Sequence, residues 1–331
     1  MAANLTPQYR KAEAEYRRAA APSEQATCLE RMLQLIPKHK GTEKLQADIK
    51  SRLKEARADA DVEKKAPKSH GPTYRFPRQG AGTIAVIGGP NAGKTRLVNA
   101  LTGADRPVAD YPFTTHEPAP AMMPWEDVTA QLIDTPPISD APLPTYLLNL
   151  VRTADAVVLC FDGSSDDAPG DTQTLLRQFN ARKTQLSKDG GIDEVDFSVI
   201  HVASLLAVTR GSDAEVDVRL ELLKEVSPID LPIIKVELDD PASVDAASEA
   251  IFASLHLIRV YPKTPGKPVD MKDPFTIPRG GTAEDVAAKV HRDLAEKLKF
   301  AKLWGGDGPD GRTVSCDHQL CDGDVIELHT S

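Results

Sequence analysis

The chain has 331 residues, which at roughly 150 residues per domain argues for about two domains with a core that needs no covalent staples. Hydrophobic residues make up 40% and charged residues 27%, the mix of an ordinary globular protein. Forty Lys and Arg against forty-nine Asp and Glu leave a net charge of -9, which excludes a wholly basic nucleic-acid coat and still permits a local basic surface. No uncharged apolar run reaches about 18 residues, so no membrane partner is expected. The opening MAANLTPQYRKAEAEYRR carries no apolar secretory segment, and four cysteines, Cys28, Cys160, Cys316 and Cys321, are too few for a disulfide scaffold. A cytoplasmic location is the expectation. Cys316, His318 and Cys321 lack the spacing of a zinc knuckle and have no second cysteine pair, so no metal is expected there.

In chain order, Pro7 to Ala20 is rich in helix formers, and a fresh helix starts near Ser23. Cys28, Leu29, Met32, Leu33, Leu35 and Ile36 form its apolar stripe, and Pro37 stops it. Thr42 is placed to cap the next helix, where Leu45, Ile49, Leu53 and Ala56 share one face. The expected object is a helical hairpin over residues 1–62. Its outer face is basic through Lys38, His39, Lys40, Lys44, Lys50, Arg52 and Lys54. Two readings stand: a solvated charged face, or a contact to RNA phosphate or an acidic partner. Residues 63–80, rich in Pro, Gly and Lys, read as a linker.

Periodicity changes at Thr83. TIAVIGG is a short apolar strand, GGPNAGKT a glycine loop, and RLVNALTG a helix. Val128–Ile133, Ala156–Phe161, Phe197–Val202 and Leu231–Val236 read as further buried strands, with helical patterns LPTYLLNLVRTA, DTQTLLRQFNARKTQL and AEVDVRLELLKEV between them. Alternation of this kind predicts an α/β domain over residues 81–256, with a mainly parallel sheet covered on both faces. Residues 257–331 differ. Strands at IRVY and VIEL bracket one long helix, AEDVAAKVHRDLAEKLKFAKLW, that runs into a short strand, which suggests a small β-grasp domain.

Gly88-Gly89-Pro90-Asn91-Ala92-Gly93-Lys94-Thr95 fits the phosphate-loop pattern G-x-x-x-x-G-K-[ST] in the required strand-loop-helix setting. The loop wraps backbone N–H groups around phosphates, so a side chain at Gly93 would obstruct it. Lys94 supplies a point charge for the β and γ phosphates, and Thr95 a hydroxyl for Mg²⁺. Asp134, forty residues after Lys94 at the end of QLID, is the acidic residue expected to hold a Mg²⁺ water. Between them Asp110-Tyr111-Pro112-Phe113-Thr114-Thr115 is the natural switch segment.

The succession GGPNAGKT, ADYPFTT and LIDTPP resembles the Obg and DRG-like translation-factor GTPases. The basic helices ahead of the nucleotide domain look like the DRG side of that superfamily, and the stretch from LIRVYPKTPGKP to DGDVIELH resembles a TGS domain. The resemblance implies a P-loop GTPase domain, GTP and GDP as ligands, Mg²⁺, and association with a ribosome or structured RNA. It also implies a protein partner engaged through the TGS-like domain or the N-terminal hairpin. Residue by residue, Gly88, Pro90, Asn91, Ala92, Gly93, Lys94 and Thr95 match the phosphate loop. Thr115 matches the switch threonine that senses the γ-phosphate and Mg²⁺, and Asp134 the second-switch aspartate. Asn91 matches the asparagine that helps hold K⁺ in potassium-dependent relatives. Lys94 and Thr115 are thus the expected catalytic pair.

Three motifs depart from the family. The second switch reads Asp134-Thr135-Pro136-Pro137 where D-x-x-G is usual, and proline has no N–H to offer the γ-phosphate. The base-reading N-K-x-D is missing, with Thr209-Arg210-Gly211-Ser212-Asp213 as a degenerate form in which Asp213 is the candidate guanine acceptor. The last base-contacting segment appears as Val236-Glu237. Ile138 cannot orient water, so slow or partner-dependent hydrolysis is one expectation, and a non-hydrolysing interaction protein with a muted switch is the other.

Overall fold

The computed structural model describes residues 7–19, 22–37, 42–65, 74–104, 117–193, 196, 199–267, 269, 271–305 and 309–330. Its contacts divide into two compact units. One takes residues up to Pro77, then Thr83–Ala121 and Leu132–Ala247. The other takes Arg78–Gly82, Met122–Gln131 and Ser248 onward.

Three helices open the first unit: α1 (Pro7–Arg18), α2 (Pro22–Leu35) and α3 (Glu43–Lys65). The expected hairpin is α2 with α3, and α1 packs beside them. Tyr9, Leu29, Met32, Ile36, Leu45, Ile49 and Ala56 form their shared core. The three- and four-residue spacings put these side chains on facing stripes, as an amphipathic helix requires. Cys28, expected in the stripe, is only half-buried, and Leu33, Leu35 and Leu53 flank the core. Thr42 sits just before α3 and its hydroxyl donates to Pro37 O at 2.5 Å, which closes the turn between the helices. Arg52 leaves the expected basic face: it is mostly buried and pairs with Asp48 one turn earlier, at 2.7 Å. Lys50 and Lys54 are exposed, while Lys38, His39, Lys40 and the Lys44 side chain lie outside the described residues.

The α/β layer follows: β1 (Thr83–Gly88), α4 (Lys94–Thr102), β2 (Ala119–Trp125), β3 (Val128–Asp134), α5 (Thr145–Thr153), β4 (Ala156–Asp162), α6 (Ala168–Ala181), β5 (Thr184–Ser187), β6 (Gly191–Ile192), β7 (Ile200–Thr209), α7 (Val216–Val226), β8 (Ile233–Val236) and α8 (Pro241–Ala253). Eight strands form one sheet in the order β2-β3-β1-β4-β7-β5, with β6 and β8 also paired to β7. The β1–β4, β4–β7 and β7–β8 pairs are all parallel. Every residue of β1 and β4 is buried. That is why both read as unbroken apolar runs and not as alternating ones.

Strand β7 departs from expectation. It runs on to Thr209, whereas the sequence reading stopped near Val202. Its first half pairs with β5 and β6 and its second half with β4 and β8, so ten residues serve four neighbours. The TQL of the expected third helix is β5, because that segment adds to β7 at the sheet's far side.

The second unit holds the tip of the β2–β3 hairpin, the end of α8 and a five-stranded sheet. Its further elements are β9 (Leu257–Pro262), β10 (Phe275–Pro278), α9 (Ala283–Val290), α10 (Arg292–Lys297), β11 (Leu298–Trp304), β12 (Arg312–Val314) and β13 (Asp324–Thr330). The order is β10-β9-β13-β11-β12, with β9 and β13 parallel and the other pairs antiparallel. Val286 and Ala283 of α9 close a core with Ile258, Val260, Ile277, Ala301, Leu303 and Ile326. Two short helices stand where one long helix was expected. His291 adopts an extended backbone (φ -164°, ψ 140°) and ends α9. The following KFAKLW is strand β11, in which Ala301 and Leu303 alternate inward. A Thr282–Asp285 capping box fixes the start of α9.

Candidate functional site

The phosphate loop follows β1 at the carboxyl edge of the sheet, and its shape is set by close approaches. A Cβ at Gly88 would lie 2.7 Å from the Cys160 carbonyl of the neighbouring strand. Gly93 has φ +78° and stands where a Cβ would meet Thr209 Cγ2 at 2.9 Å, so both conformation and space exclude a side chain. Asn91 also takes a left-handed backbone, φ +56°, and is exposed. Ala92 is buried and its carbonyl accepts from Thr209 Oγ1 at 3.2 Å, while Pro90 is half-buried.

Lys94 opens α4 and is 6% exposed, and its ammonium donates to the carbonyls of Gly89 (2.7 Å) and Gly88 (3.2 Å). Burial lowers its proton affinity below the ordinary lysine value. Behind the loop, burial pushes the Cys160 thiol up to about 12, which keeps it a neutral filler. Thr95 Oγ1 donates to Asp134 Oδ2 at 2.8 Å, so a hydroxyl and a buried carboxylate converge beside Lys94. Two hard oxygen donors, one anionic, are the chemistry that Mg²⁺ takes. Among the described residues no cluster of three or more His, Cys, Asp or Glu could hold a metal by itself. Thr115 and the rest of the expected switch segment, residues 110–114, lie outside the described residues.

The second switch is held tightly. Thr135 is fully buried and donates to Val86 O at 2.8 Å. Ile138, the first residue after Pro137 with an amide hydrogen, donates it to the Gly88 carbonyl at 3.1 Å and is itself buried. The nearest substitute for the missing amide is therefore engaged with the phosphate loop.

At the far side of the loop, Asp213 sits in a carboxylate network centred on Arg219. Arg219 bonds Asp213 and Asp166 at 2.7 and 2.8 Å, the Gly163 carbonyl at 2.8 Å, and Glu215 at 3.3 Å. A hydrogen bond from the Glu215 amide, then Arg219, holds the Asp213 carboxyl below the usual range. Asp162 pairs with Arg210 at 2.7 Å and accepts from Ser164. The acidic residues 162, 166 and 167 are thus a strand-end loop, with Asp162 and Asp166 neutralised by arginines. Sequence reasoning missed the anchoring role of Thr209. The unbroken apolar run up to it was the available signal.

In the second unit, Phe300 stacks on His329 with ring centroids 4.6 Å apart, and Lys263 lies 4.5 Å from the Trp304 ring. Neither aromatic belongs to the buried core, which uses the opposite face of β11. Lys289, Lys297 and Lys299 of the same unit are exposed.

Comparison with known proteins agrees with this architecture. Residues 83–226 match the family described as 50S ribosome-binding GTPase, and residues 258–330 match the TGS domain. An uncharacterized GTP-binding protein of Methanocaldococcus jannaschii is 27% identical, over 91% of this chain and 90% of the relative. The human developmentally-regulated GTP-binding protein 2 is 22% identical, over 91% of this chain and 97% of its own. The crystal structure of a GTP binding protein from Pyrococcus horikoshii OT3 superposes with a TM-score of 0.50 and 16% identity, over 75% of this chain and 100% of that one, a likeness of fold. The chain is thus a P-loop GTPase domain followed by a TGS domain, related to the developmentally regulated GTPases.

Proposed function

We propose that this protein binds GTP and GDP with Mg²⁺, hydrolyses GTP slowly, and acts on a ribosome or structured RNA. The observation that carries the reading is the juxtaposition at the loop: buried Lys94 on two loop carbonyls, and Thr95 2.8 Å from Asp134. The loop from Gly88 through Pro90, Asn91, Ala92 and Gly93 wraps the phosphates, with Lys94 supplying charge at the β and γ positions. Thr95 and Asp134 hold Mg²⁺, which supplies neutralisation of phosphate charge when bound, and Thr115 is assigned the γ-phosphate contact. Asn91 is assigned to K⁺. Ile138 is apolar and buried, so positioning and charge must carry hydrolysis, which sets a slow rate. The ribosomal assignment follows the matched family's description, and the exposed lysines of the TGS domain suit an RNA backbone.

A second reading has its own observation. Pro137 has no amide hydrogen and the Ile138 amide is engaged with Gly88, which favours an interaction protein that binds nucleotide without switching. Calorimetric titration with GTP, GDP and ATP in the presence of Mg²⁺, followed by a turnover assay, separates the two. Binding with turnover supports the GTPase, binding without turnover the scaffold, and absence of binding removes both.

A further inference from the structure

His201 is the second residue of β7, at the opposite end of that strand from Thr209 and the phosphate loop. Its register partners are Gln185 of β5 and Gly191 of β6. Alternation with the buried Val202 turns its ring away from the core, where it is half-buried. The ring bridges two turns. Nδ1 lies 3.1 Å from Ser187 Oγ at the end of β5, and Nε2 lies 2.9 Å from Asp193 Oδ2 just after β6. Each partner is also committed to its own turn. Ser187 Oγ donates to the Asp189 carbonyl at 2.8 Å. Asp193 Oδ1 accepts the Asp196 amide at 2.8 Å, and the Asp193 amide donates to Val199 O at 3.1 Å.

These contacts fix the protons. A hydroxyl has one hydrogen, and that of Ser187 is given to Asp189, so toward Nδ1 the oxygen can only accept. A carboxylate likewise only accepts, so Nε2 must donate to Asp193. Both ring nitrogens therefore carry hydrogen, and the ring is an imidazolium. The trio has the composition of a hydrolytic triad without its proton order. The hydroxyl faces a carbonyl, and the ring keeps no lone pair to take its proton.

We propose that His201 is a proton-operated clasp: as an imidazolium it ties the β5–β6 turn and the β6–β7 turn to β7, and its neutral form releases the first of them. Loss of one proton to water leaves a single N–H. The charge-assisted bond to Asp193 is the stronger, so Nε2 keeps its hydrogen and Nδ1 becomes a lone pair. Nδ1 and Ser187 Oγ then face each other as two acceptors over 3.1 Å. The hydroxyl has to swing from the Asp189 carbonyl to Nδ1, or the ring has to leave, and either way the β5–β6 turn loses a tie. Charged groups on the flanking elements are Arg182 and Lys183 ahead of β5, Lys188 and Asp189 in the β5–β6 turn, and Asp193 and Asp196 after β6. Lys183 and Asp196 pair with each other at 3.8 Å, and Glu194 lies outside the described residues. Arg152 of α5 bonds Thr184, which alternates with Gln185 onto the other face of β5.

The test is magnetic resonance with ¹⁵N-labelled histidine, together with amide exchange, on the full chain and on His201→Gln and Ser187→Ala. Histidine changes charge between about pH 5 and about pH 8. At the lower value the His201 ring is expected to show two protonated nitrogens, and at the higher value one, on Nε2. Exchange at residues 187–193, corrected for the intrinsic effect of pH, is expected to rise about threefold to tenfold over that range, the worth of one net hydrogen bond. His201→Gln is expected to abolish this rise. Ser187→Ala is expected to abolish it too while leaving the ring on Asp193, which keeps the test available should His201→Gln fail to fold. A singly protonated ring at about pH 5 overturns the imidazolium and the clasp with it. A rise undiminished in either variant assigns the opening to another group and overturns the clasp as well.

Discussion

Lys94 and Gly93 are adjacent and are constrained by different physics. Lys94 is buried with a lowered proton affinity, so its charge is held at a desolvation cost that the Gly88 and Gly89 carbonyls offset in part and a bound anion would offset further. Lys94→Ala is expected to lower GTP and GDP affinity by about one to two powers of ten, the worth of a charge-assisted hydrogen bond. Circular dichroism is expected to remain that of the wild type. Undiminished affinity in calorimetry would count against the phosphate site. Gly93→Ala acts through backbone and space together: φ +78° and a Cβ 2.9 Å from Thr209. Strain of this kind costs about 1–3 kcal/mol, readable as a lowered urea midpoint even without nucleotide. A midpoint equal to wild type would mean that the loop relaxes freely. GTP turnover is expected to be faster in K⁺ than in Na⁺, given Asn91 in its exposed left-handed turn. A rate indifferent to the cation would remove the K⁺ assignment.

Arg259 on β9 organises the second unit. It bonds Glu126, Asp127 (3.0 Å) and Asp322 (2.8 Å), lies 4.8 Å from the Trp125 ring, and is 12% exposed at its side chain. Tyr261 adds a bond to Asp127, and Trp125 stacks on Phe252 at 4.0 Å. The tip of the β2–β3 hairpin is thereby fastened to β9, α8 and the turn before β13. Arg259→Ala leaves three carboxylates close together without their cation. A loss of about 1–3 kcal/mol is expected, with faster amide exchange at residues 125–128. Protection equal to wild type would argue against the fastening role. Across the same sheet, the Glu327 carboxyl is held below its usual range, first by Lys263 and also by His329. A depressed folded value gives stability that is present above the ordinary glutamate range, near pH ~4.3, and lost as pH falls through the folded value. Acid unfolding followed by tryptophan fluorescence is expected to show this loss in the wild type and a flatter profile in Glu327→Gln. Parallel acid profiles would exclude Glu327 as its source.

For the whole molecule the decisive question is how strongly nucleotide state is coupled to partner binding. A switch needs contacts made in one state and absent in the other. Pro137 removes one amide, and the next, at Ile138, donates to Gly88. A γ-phosphate that recruited Ile138 would have to break that bond, so the net gain is small. Affinities for GTP and GDP are expected to agree within about tenfold, since one lost charge-assisted bond is worth roughly one to two powers of ten. Ribosome or RNA binding is expected to differ little between GDP and a non-hydrolysable GTP analogue. A difference beyond about a hundredfold in filter binding would restore an ordinary switch.

The phosphate loop, Asp134, the α/β alternation and the terminal β-grasp were legible in the sequence. Each depends on local rules: glycine at a crowded turn, apolar runs in doubly covered strands, and fixed spacing within one motif. What the tertiary structure alone decided is where residues distant in sequence meet. The length of β7 depended on β5, β6 and β8 arriving to pair with it. The break at His291 came from the need to return β11 to the sheet. Asp213 reads in sequence as the acceptor for a base, and only the fold places Arg219 on it. Glu237 reads in sequence as part of the last base-contacting segment, Val236-Glu237. Only the fold places its carboxylate on the Ser212 amide, where parallel pairing brings the end of β8 beside the turn after β7, because hydrogen-bond geometry over 2.6 Å is fixed by packing and not by spacing along the chain.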